Sequence, residues 1–328
     1  MKKENPFFIK ELVIRSIRQF FYDQEFHEVV VPVLNQALPL EPNLYSFSTT
    51  WQYMDNSKQL FLPTSPESAL KKILARGVEK VFAIGHTFRN LEPADLEHNP
   101  EFLMLEWYRS GANYEKIMAD VEELVNYVWK KVSEYLGAST SLEYLGEIIN
   151  LDSPWKKVSL EELFNQFLEV ELENCLGLSQ IKKIANKFGY QTDDTTWEQL
   201  FNQLFMDKIE PSLGKQPLFL VDFPAQISPL CKVQPKKPYL AQRFEVYLGG
   251  LEIGNGNNEQ TNSTLVKKHF LQEQKFREKN QLPTHPIDNE FLEALKILNS
   301  TGKKYAGIGM GVERLAMIMS NQNQIYPL

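Results

Sequence analysis

Two adjacent glycines, Gly249-Gly250, stand between runs 240–248 and 251–254 that both read as strands, and they constrain this chain most. A two-residue hairpin turn needs left-handed backbone, which glycine supplies without strain. The two runs must therefore pair side by side and antiparallel. Counting back from the turn sets Tyr247 against Glu252 and Glu245 against Gly254. Side chains alternate along a strand, so Glu245 and Glu252 fall on one face, diagonal to each other. Like charges so placed repel unless something positive lies between them. Mg²⁺, bound by one or two carboxylates together with substrate phosphates, suits that position. A hairpin standing alone would fit a solvated acidic patch equally well.

The rest of the chain can be laid out around this hairpin. Asn5-Pro6 make a helix cap and first-turn pair, and helical spacing of Phe8, Leu12, Ile14, Ile17 and Phe21 predicts a helix over 6–24. Residues 27–34 are rich in β-branched side chains and read as a strand, with Pro32 demanding an edge or a special join. A short helix follows over 66–76, then strands over 80–89 and 101–109 joined by a polar loop. A long amphipathic helix covers 113–136 and breaks at Gly137. Residues 159–210 read as helical pieces without motifs, so about 137–212 is expected to be a helical insertion. Strands over 217–222 and 304–309, helices over 263–280 and 288–299, and a final helix complete the layout. Strands around a hairpin with helices outside predict an α+β fold on a mostly antiparallel sheet.

Two distant segments read as halves of one nucleotide site. One is Phe88-Arg89-Asn90 with His98-Asn99-Pro100-Glu101-Phe102; the other is Gly307-Ile308-Gly309-Met310-Gly311-Val312-Glu313-Arg314. Each carries an arginine beside a strand, where a phosphate binder is useful. On strand 101–109, Phe102, Met104, Glu106 and Tyr108 share one face. A carboxylate and a phenol on the same face as an aromatic ring are odd for a plain core, although a half-exposed face with Glu106 in water is the plainer alternative.

The net charge of −7 argues against a non-specific nucleic-acid binder, which needs a basic face. Cys175 and Cys231, the only cysteines, are too few for a disulfide framework, so a reducing compartment is expected. Met1-Lys2-Lys3-Glu4-Asn5 lacks the apolar run of a signal peptide, and no stretch is apolar enough for a membrane span. The expected location is cytoplasmic.

Residues 88–108 and 307–314 resemble motifs 2 and 3 of the class II aminoacyl-tRNA synthetases. His98-Asn99-Pro100-Glu101-Phe102, with Thr64-Ser65-Pro66-Glu67, Arg243-Phe244-Glu245 and Glu252-Ile253-Gly254-Asn255-Gly256, narrows this to the lysyl branch. The resemblance runs from about residue 10 to the end. It implies one catalytic domain over 1–328 without an anticodon-binding domain. A core of this length is similar to the elongation factor P lysyltransferases, paralogues that attach a lysine-like residue to a protein.

The resemblance also implies roles. Arg89 would grip the α-phosphate and carboxylate, His98 would lie near the γ-phosphate and Arg314 along the triphosphate. Phe102 would stack adenine, with Glu92 and Gly311 beside the nucleotide. Glu67 would receive the substrate α-amine, although a glutamate in a first helical turn is favourable by itself. Glu106, Tyr108, Asn255 and Glu259 would form the lysine side-chain pocket, with Gly309 in its wall. Glu245 and Glu252 would hold Mg²⁺. The run ending at Pro32 would belong to a homodimer interface.

Some residues depart from the pattern. Leu91 displaces the motif 2 acid to Glu92, Glu97 stands where arginine is common, and Asn257 replaces an aromatic. Gly309 matches the tRNA enzymes, where the protein-modifying branch often has alanine.

The implied activity is ATP-dependent activation of lysine, β-lysine or a relative, with transfer to a lysine of elongation factor P. The alternatives are a compact lysyl-tRNA synthetase-like enzyme charging tRNA or a small acceptor, and an inactive paralogue.

Overall fold

Asn5 and Pro6 open the first helix as expected. The computed structural model describes residues 5–137 and 141–325. In it the Asn5 side chain accepts from the Phe7 N–H at 3.0 Å, and α1 runs over Pro6–Asp23. The run 27–34 yields only β1, His27–Glu28. The Val29 N–H still donates to the Phe82 carbonyl, but pairing stops ahead of Pro32, which has no N–H to give.

An unanticipated hairpin follows, β2 (Ser48–Tyr53) with β3 (Asn56–Phe61). It is exposed along almost its whole length, so no buried face marks it out in the sequence. Next come α2 (Glu67–Leu74), β4 (Lys80–Phe88), β5 (Glu101–Ser110) and α3 (Tyr114–Leu136). Asn113 caps α3 at one end, and Gly137 closes the other in left-handed backbone. Between 137 and 212, three short strands precede the helices: β6 (Leu142–Tyr144), β7 (Glu147–Ile149) and β8 (Lys156–Ser159). Then come α4 (Leu160–Leu168), α5 (Leu178–Lys187) and α6 (Trp197–Leu204). The chain ends with β9 (Leu218–Val221), β10 (Arg243–Leu248), β11 (Leu251–Asn258), α7 (Ser263–Lys279), α8 (Asn289–Ser300), β12 (Tyr305–Gly311) and α9 (Val312–Met319).

The main sheet has the order β1-β4-β5-β12-β11-β10-β9-β8. Its two outermost pairs, β1 with β4 and β8 with β9, are parallel, and the pairs between them are antiparallel. The fold is α+β on a mostly antiparallel sheet, as strands around a hairpin with helices outside predict. β8, inside the segment expected to be helical, forms one edge of this sheet.

One face of the sheet is sealed. Phe82, Leu105, Trp107, Phe244, Val246, Ile253, Ile308 and Met310 pack there against α1, α3 and α9 in one apolar core. The other face is covered at its two flanks. At one flank α2, α7 and α8 pack on Val81, Ala83 and Tyr108. At the other, α4–α6 pack on Val158, Leu218, Leu220 and Tyr247. The candidate site lies between these flanks.

Gly249 and Gly250 both have positive φ, 65° and 85°, as the predicted turn requires. The predicted register holds only beside the turn. Tyr247 pairs with Glu252, but Glu245 pairs with Asn255, not Gly254. A β-bulge at Ile253 adds one residue to β11 between those pairs. The extra residue reverses which side chains face which way beyond it. Without it Asn255 would point into the sealed core; with it Asn255 and Asn257 share the face of Glu252.

Candidate active site

The strand pairings bring the expected residues into two rows across the open face. Glu245 stands opposite Asn255, Asn255 opposite Gly309, and Gly309 opposite Glu106. In the next row Arg243 faces Asn257, Asn257 faces Gly307, and Gly307 faces Tyr108. One concave pocket is lined by Glu41, Glu67, Arg89, Glu106, Tyr108, Arg243, Asn255, Asn257, Glu259 and Gly309, among others. The face assignment along strand 101–109 therefore holds: Met104, Glu106 and Tyr108 line the pocket, while Leu105 and Trp107 lie in the core. Gly307 is needed here for packing. A Cβ on it would come within 2.2 Å of the Tyr108 ring.

Glu106 is 4% exposed, and the Tyr108 hydroxyl donates to its Oε1. Its Oε2 is buried without a hydrogen-bond partner. Loss of water pushes the carboxyl well above the ordinary range, and the charge of Glu67 adds to this. A buried acceptor left open in this way is poised to take a cation or a donor from a ligand.

Glu67 and Glu259 are also buried, and both contact the ammonium of Lys71, which reaches from α2 to the wall of the pocket behind them. Burial pushes Glu259 up to about 7, with Lys71 pulling the other way and Glu67 adding repulsion. Glu41, at the pocket edge, is pushed to about 7 by loss of water and by Glu67. The Asn257 amide, with its nitrogen turned inward, donates to Glu259 Oε1 at 3.1 Å, so the polar replacement at this position supports a carboxylate.

Sequence reasoning missed Lys71, Glu41, Arg243, Tyr247 and Glu210 as parts of the site. Lys71 had a visible signal in its spacing from Glu67, but an i,i+4 pair on a helix ordinarily marks a solvated face.

The hairpin carboxylates sit a short way along the same face. The Arg243 Nη2 donates to Glu245 Oε1 at 2.8 Å, and the Tyr247 hydroxyl lies 3.2 Å from Glu245 Oε2 and 3.1 Å from Glu210 Oε1. Burial and then the charge of Glu252 push Glu245 up to about 8 despite Arg243. Burial beside Glu252 and Glu210 leaves Glu245 in repulsion despite Arg243, and the oxygens offered are hard carboxylate donors. This fits Mg²⁺. No group of three or more His, Cys, Asp or Glu side chains able to hold a metal occurs among the described residues, so a cation would take further oxygens from a nucleotide.

The two arginines lie beside these groups. Arg314 donates from Nη1 to the Glu252 carbonyl at 2.6 Å and from Nε to the Glu97 carbonyl at 3.4 Å. Its Nη2 faces His98 Nε2 at 2.8 Å, and His98 Nδ1 is 2.9 Å from Asp95 Oδ1. Arg314 can only donate, so His98 Nε2 accepts and Nδ1 carries the proton toward Asp95. Asp95 is held below the usual carboxylate range by the Glu97 N–H and by His98. Arg89 lies 5.3 Å over the Phe102 ring, with Nη1 3.7 Å from Glu92 Oε1. The additional residue of motif 2 is looped out: Leu91 has φ 62° and an exposed side chain, and its N–H donates to Asn90 Oδ1. Glu92 therefore still reaches Arg89. Gly311 stands beside the Arg314 side chain, the nearest group to a Cβ placed there.

An antiparallel sheet carrying these two arginine segments on one face is the architecture of class II synthetases. The family model for tRNA synthetases class II (D, K and N) matches residues 1–327, and the chain belongs to this family.

Within it, the chain is 33% identical to the lysine–tRNA ligase of Buchnera aphidicola subsp. Schizaphis graminum, over 98% of this chain and 62% of that protein. It is also 33% identical to the elongation factor P–(R)-β-lysine ligase of Buchnera aphidicola subsp. Acyrthosiphon pisum, over 96% of this chain and 91% of that protein. The corresponding ligase of Pseudoalteromonas translucida is 32% identical over the same shares. The chain thus spans under two thirds of the tRNA ligase and most of the elongation factor P ligases.

Proposed function

We propose that this protein activates a lysine-like amino acid with ATP and transfers it to a lysine of elongation factor P. The observation that carries the reading is the buried, half-partnered Glu106 in a carboxylate-lined pocket beside the Arg89 and Arg314 segments. Such a pocket selects a substrate with a distal ammonium, because only a cation compensates buried carboxylates. The alignment over 91% of the elongation factor P ligases favours a protein acceptor over tRNA.

In the first step the substrate carboxylate attacks the α-phosphorus of ATP. An aminoacyl-adenylate forms and pyrophosphate leaves. Arg89 would hold the attacking carboxylate and the α-phosphate together, Arg314 would lie along the triphosphate, and His98 would meet its far end. Phe102 would stack the adenine, with Glu92 and Gly311 at the nucleotide. Glu67 would take the α-amine. Glu106, Tyr108, Asn255 and Glu259 would take the distal amine, with Gly309 leaving room for the stem. Glu245 and Glu252 would hold Mg²⁺, which neutralises phosphate charge when bound. In the second step a neutral lysine amine attacks the adenylate carbonyl, an amide forms, and AMP leaves with the electron pair. Catalysis rests on placement and charge neutralisation.

The catalytic unit would be a homodimer in the cytoplasm. Val30, Val33 and Leu34, beside Pro32, are exposed at 94%, 39% and 53%, which suits a covered surface. No helix among the described residues is long and apolar enough to cross a membrane.

The direct test incubates the protein with ATP, Mg²⁺, labelled lysine or β-lysine, and either elongation factor P or total tRNA. Label on one lysine of elongation factor P is expected. Stable label on tRNA alone would instead establish the synthetase-like reading.

A further inference from the structure

Lys71 is the least expected group beside the pocket. It sits one turn into α2, its side chain is 1% exposed, and its ammonium contacts Glu67 on one side and Glu259 on the other. It lies 5.5 Å over the Tyr108 ring and 5.6 Å over the Phe291 ring. Burial opposes its charge, yet Glu259 and Glu67 outweigh burial and keep it protonated. The pocket wall is thus backed by a built-in ammonium, of the same chemical kind as the group the pocket is proposed to bind.

The carboxylates around it outnumber it. Glu106 is faced by Glu67, Tyr108, Lys71 and Glu259. Glu259 is faced by Lys71, Glu67 and Lys232. Glu41 is faced by Glu67, Lys71, Arg89 and Arg243. Lys71 is the one cation common to all three sets. It joins the two carboxylates assigned to opposite ends of the substrate, and it leaves Glu106 Oε2 open.

We propose that Lys71 is a positioning residue for substrate recognition: its ammonium clamps Glu67 to Glu259, fixes the spacing at which the substrate's two amines are received, and keeps Glu106 available for the distal one. This rests on the amino-acid reading above. A substrate ammonium binds an ionised carboxylate, and Lys71 favours the ionised form of Glu106, Glu259 and Glu41. Without it these carboxyls titrate at higher pH: Glu259 loses an opposite charge in contact, which lowers a carboxyl by ~1–3 units, and Glu106 and Glu41 lose a nearby positive charge. The binding-competent pocket then appears only in more alkaline solution.

The test uses Lys71→Met and Lys71→Arg in the full chain. In lysine-dependent pyrophosphate exchange, Lys71→Met should raise the amino-acid KM about tenfold or more while the ATP KM stays within about twofold. Its profile of kcat/KM against pH should move alkaline by about one unit, and Lys71→Arg should restore most of the wild-type profile. A raised KM with an unmoved profile would reduce Lys71 to a packing group, and an unchanged KM would overturn the clamp.

A second measurement needs no substrate. Thermal stability of Lys71→Met should fall more steeply between pH 6 and 8 than that of the wild type, because its carboxylates ionise without their cation. Parallel curves overturn the proposal whatever the amino acid proves to be. If Lys71→Met fails to fold at either pH, the double variant Lys71→Met/Glu259→Gln removes one of the two orphaned carboxylates and should fold. Failure of the double variant as well would also count against the clamp. Wild-type protein that activates no lysine-like amino acid would refute the substrate reading, while the stability curves would still decide the role of Lys71.

Discussion

Glu106 and Arg314 carry the sharpest expectations for single residues. Glu106 keeps one buried oxygen unpaired, so its loss should be felt in ligand binding more than in folding. Glu106→Gln preserves shape and removes charge, leaving a substrate ammonium poorly compensated, at about 2–5 kcal/mol. Lysine-dependent pyrophosphate exchange should drop accordingly, and norleucine should not be activated by the parent protein. Equal use of lysine and norleucine would show that the pocket has been misassigned. Arg314 reaches the Glu252 carbonyl and His98 at once, spanning the hairpin and the motif 2 loop. Arg314→Ala should reduce exchange by roughly 10²–10³-fold, the usual effect of removing one fixed charge from a reacting phosphate. The clean reading is a lower kcat in a variant whose melting curve is unchanged.

At the scale of elements, the β10–β11 hairpin and β12 set the site. The bulge at Ile253 turns Asn255 and Asn257 toward the pocket, and β12 passes close beneath Tyr108 because Gly307 has no side chain. Gly307→Ala would force its methyl into that ring. Overpacking of this kind costs about 1–3 kcal/mol. Chemical denaturation should show a lower midpoint with an unchanged slope, together with weaker amino-acid binding as Tyr108 and its partner Glu106 shift. A fully stable Gly307→Ala variant would mean that Tyr108 can move aside freely.

For the whole molecule, the concentration of buried carboxyls sets the response to pH. Glu41 and Glu259 are raised to about 7, Glu245 to about 8, and Glu106 is also raised. The folded protein therefore holds protons that the unfolded chain, with ordinary carboxyl values near ~4.3, has already released. Stability from these groups is greatest at low pH and is lost as pH rises through 7 and 8. The His285 imidazole has the opposite sign. Burial lowers it to about 4, so its contribution is lost below the ordinary histidine range. Melting temperature should fall between pH 6.5 and 8.5, and lysine with ATP and Mg²⁺ should flatten that fall. A pH-independent melting temperature over that window would argue that the carboxyls are neutralised by other means. Assembly belongs to the same scale. Light scattering should give twice the 38.1 kDa chain mass, and a clean monomer that still forms adenylate would exclude the proposed dimer.

The sequence alone was sufficient for whatever depends on local pattern. Gly249-Gly250 specified the turn, alternation along 101–109 assigned Glu106 and Tyr108 to one face, and Asn5-Pro6 marked the start of α1. Each is decided by neighbours within a few residues, so the information is contiguous. Tertiary structure decided the rest. The bulge at Ile253 depends on β11 being paired on both sides, with β10 and with β12, so counting from the turn misplaced Glu245 against Gly254. The exposed β2–β3 hairpin has no buried face to imprint a period. The short helix 66–76 was legible, but only the approach of β11 and the loop carrying Glu259 shows that Lys71 points inward between two carboxylates. Burial of a charge is a property of everything packed around it, and no local pattern of residues records that.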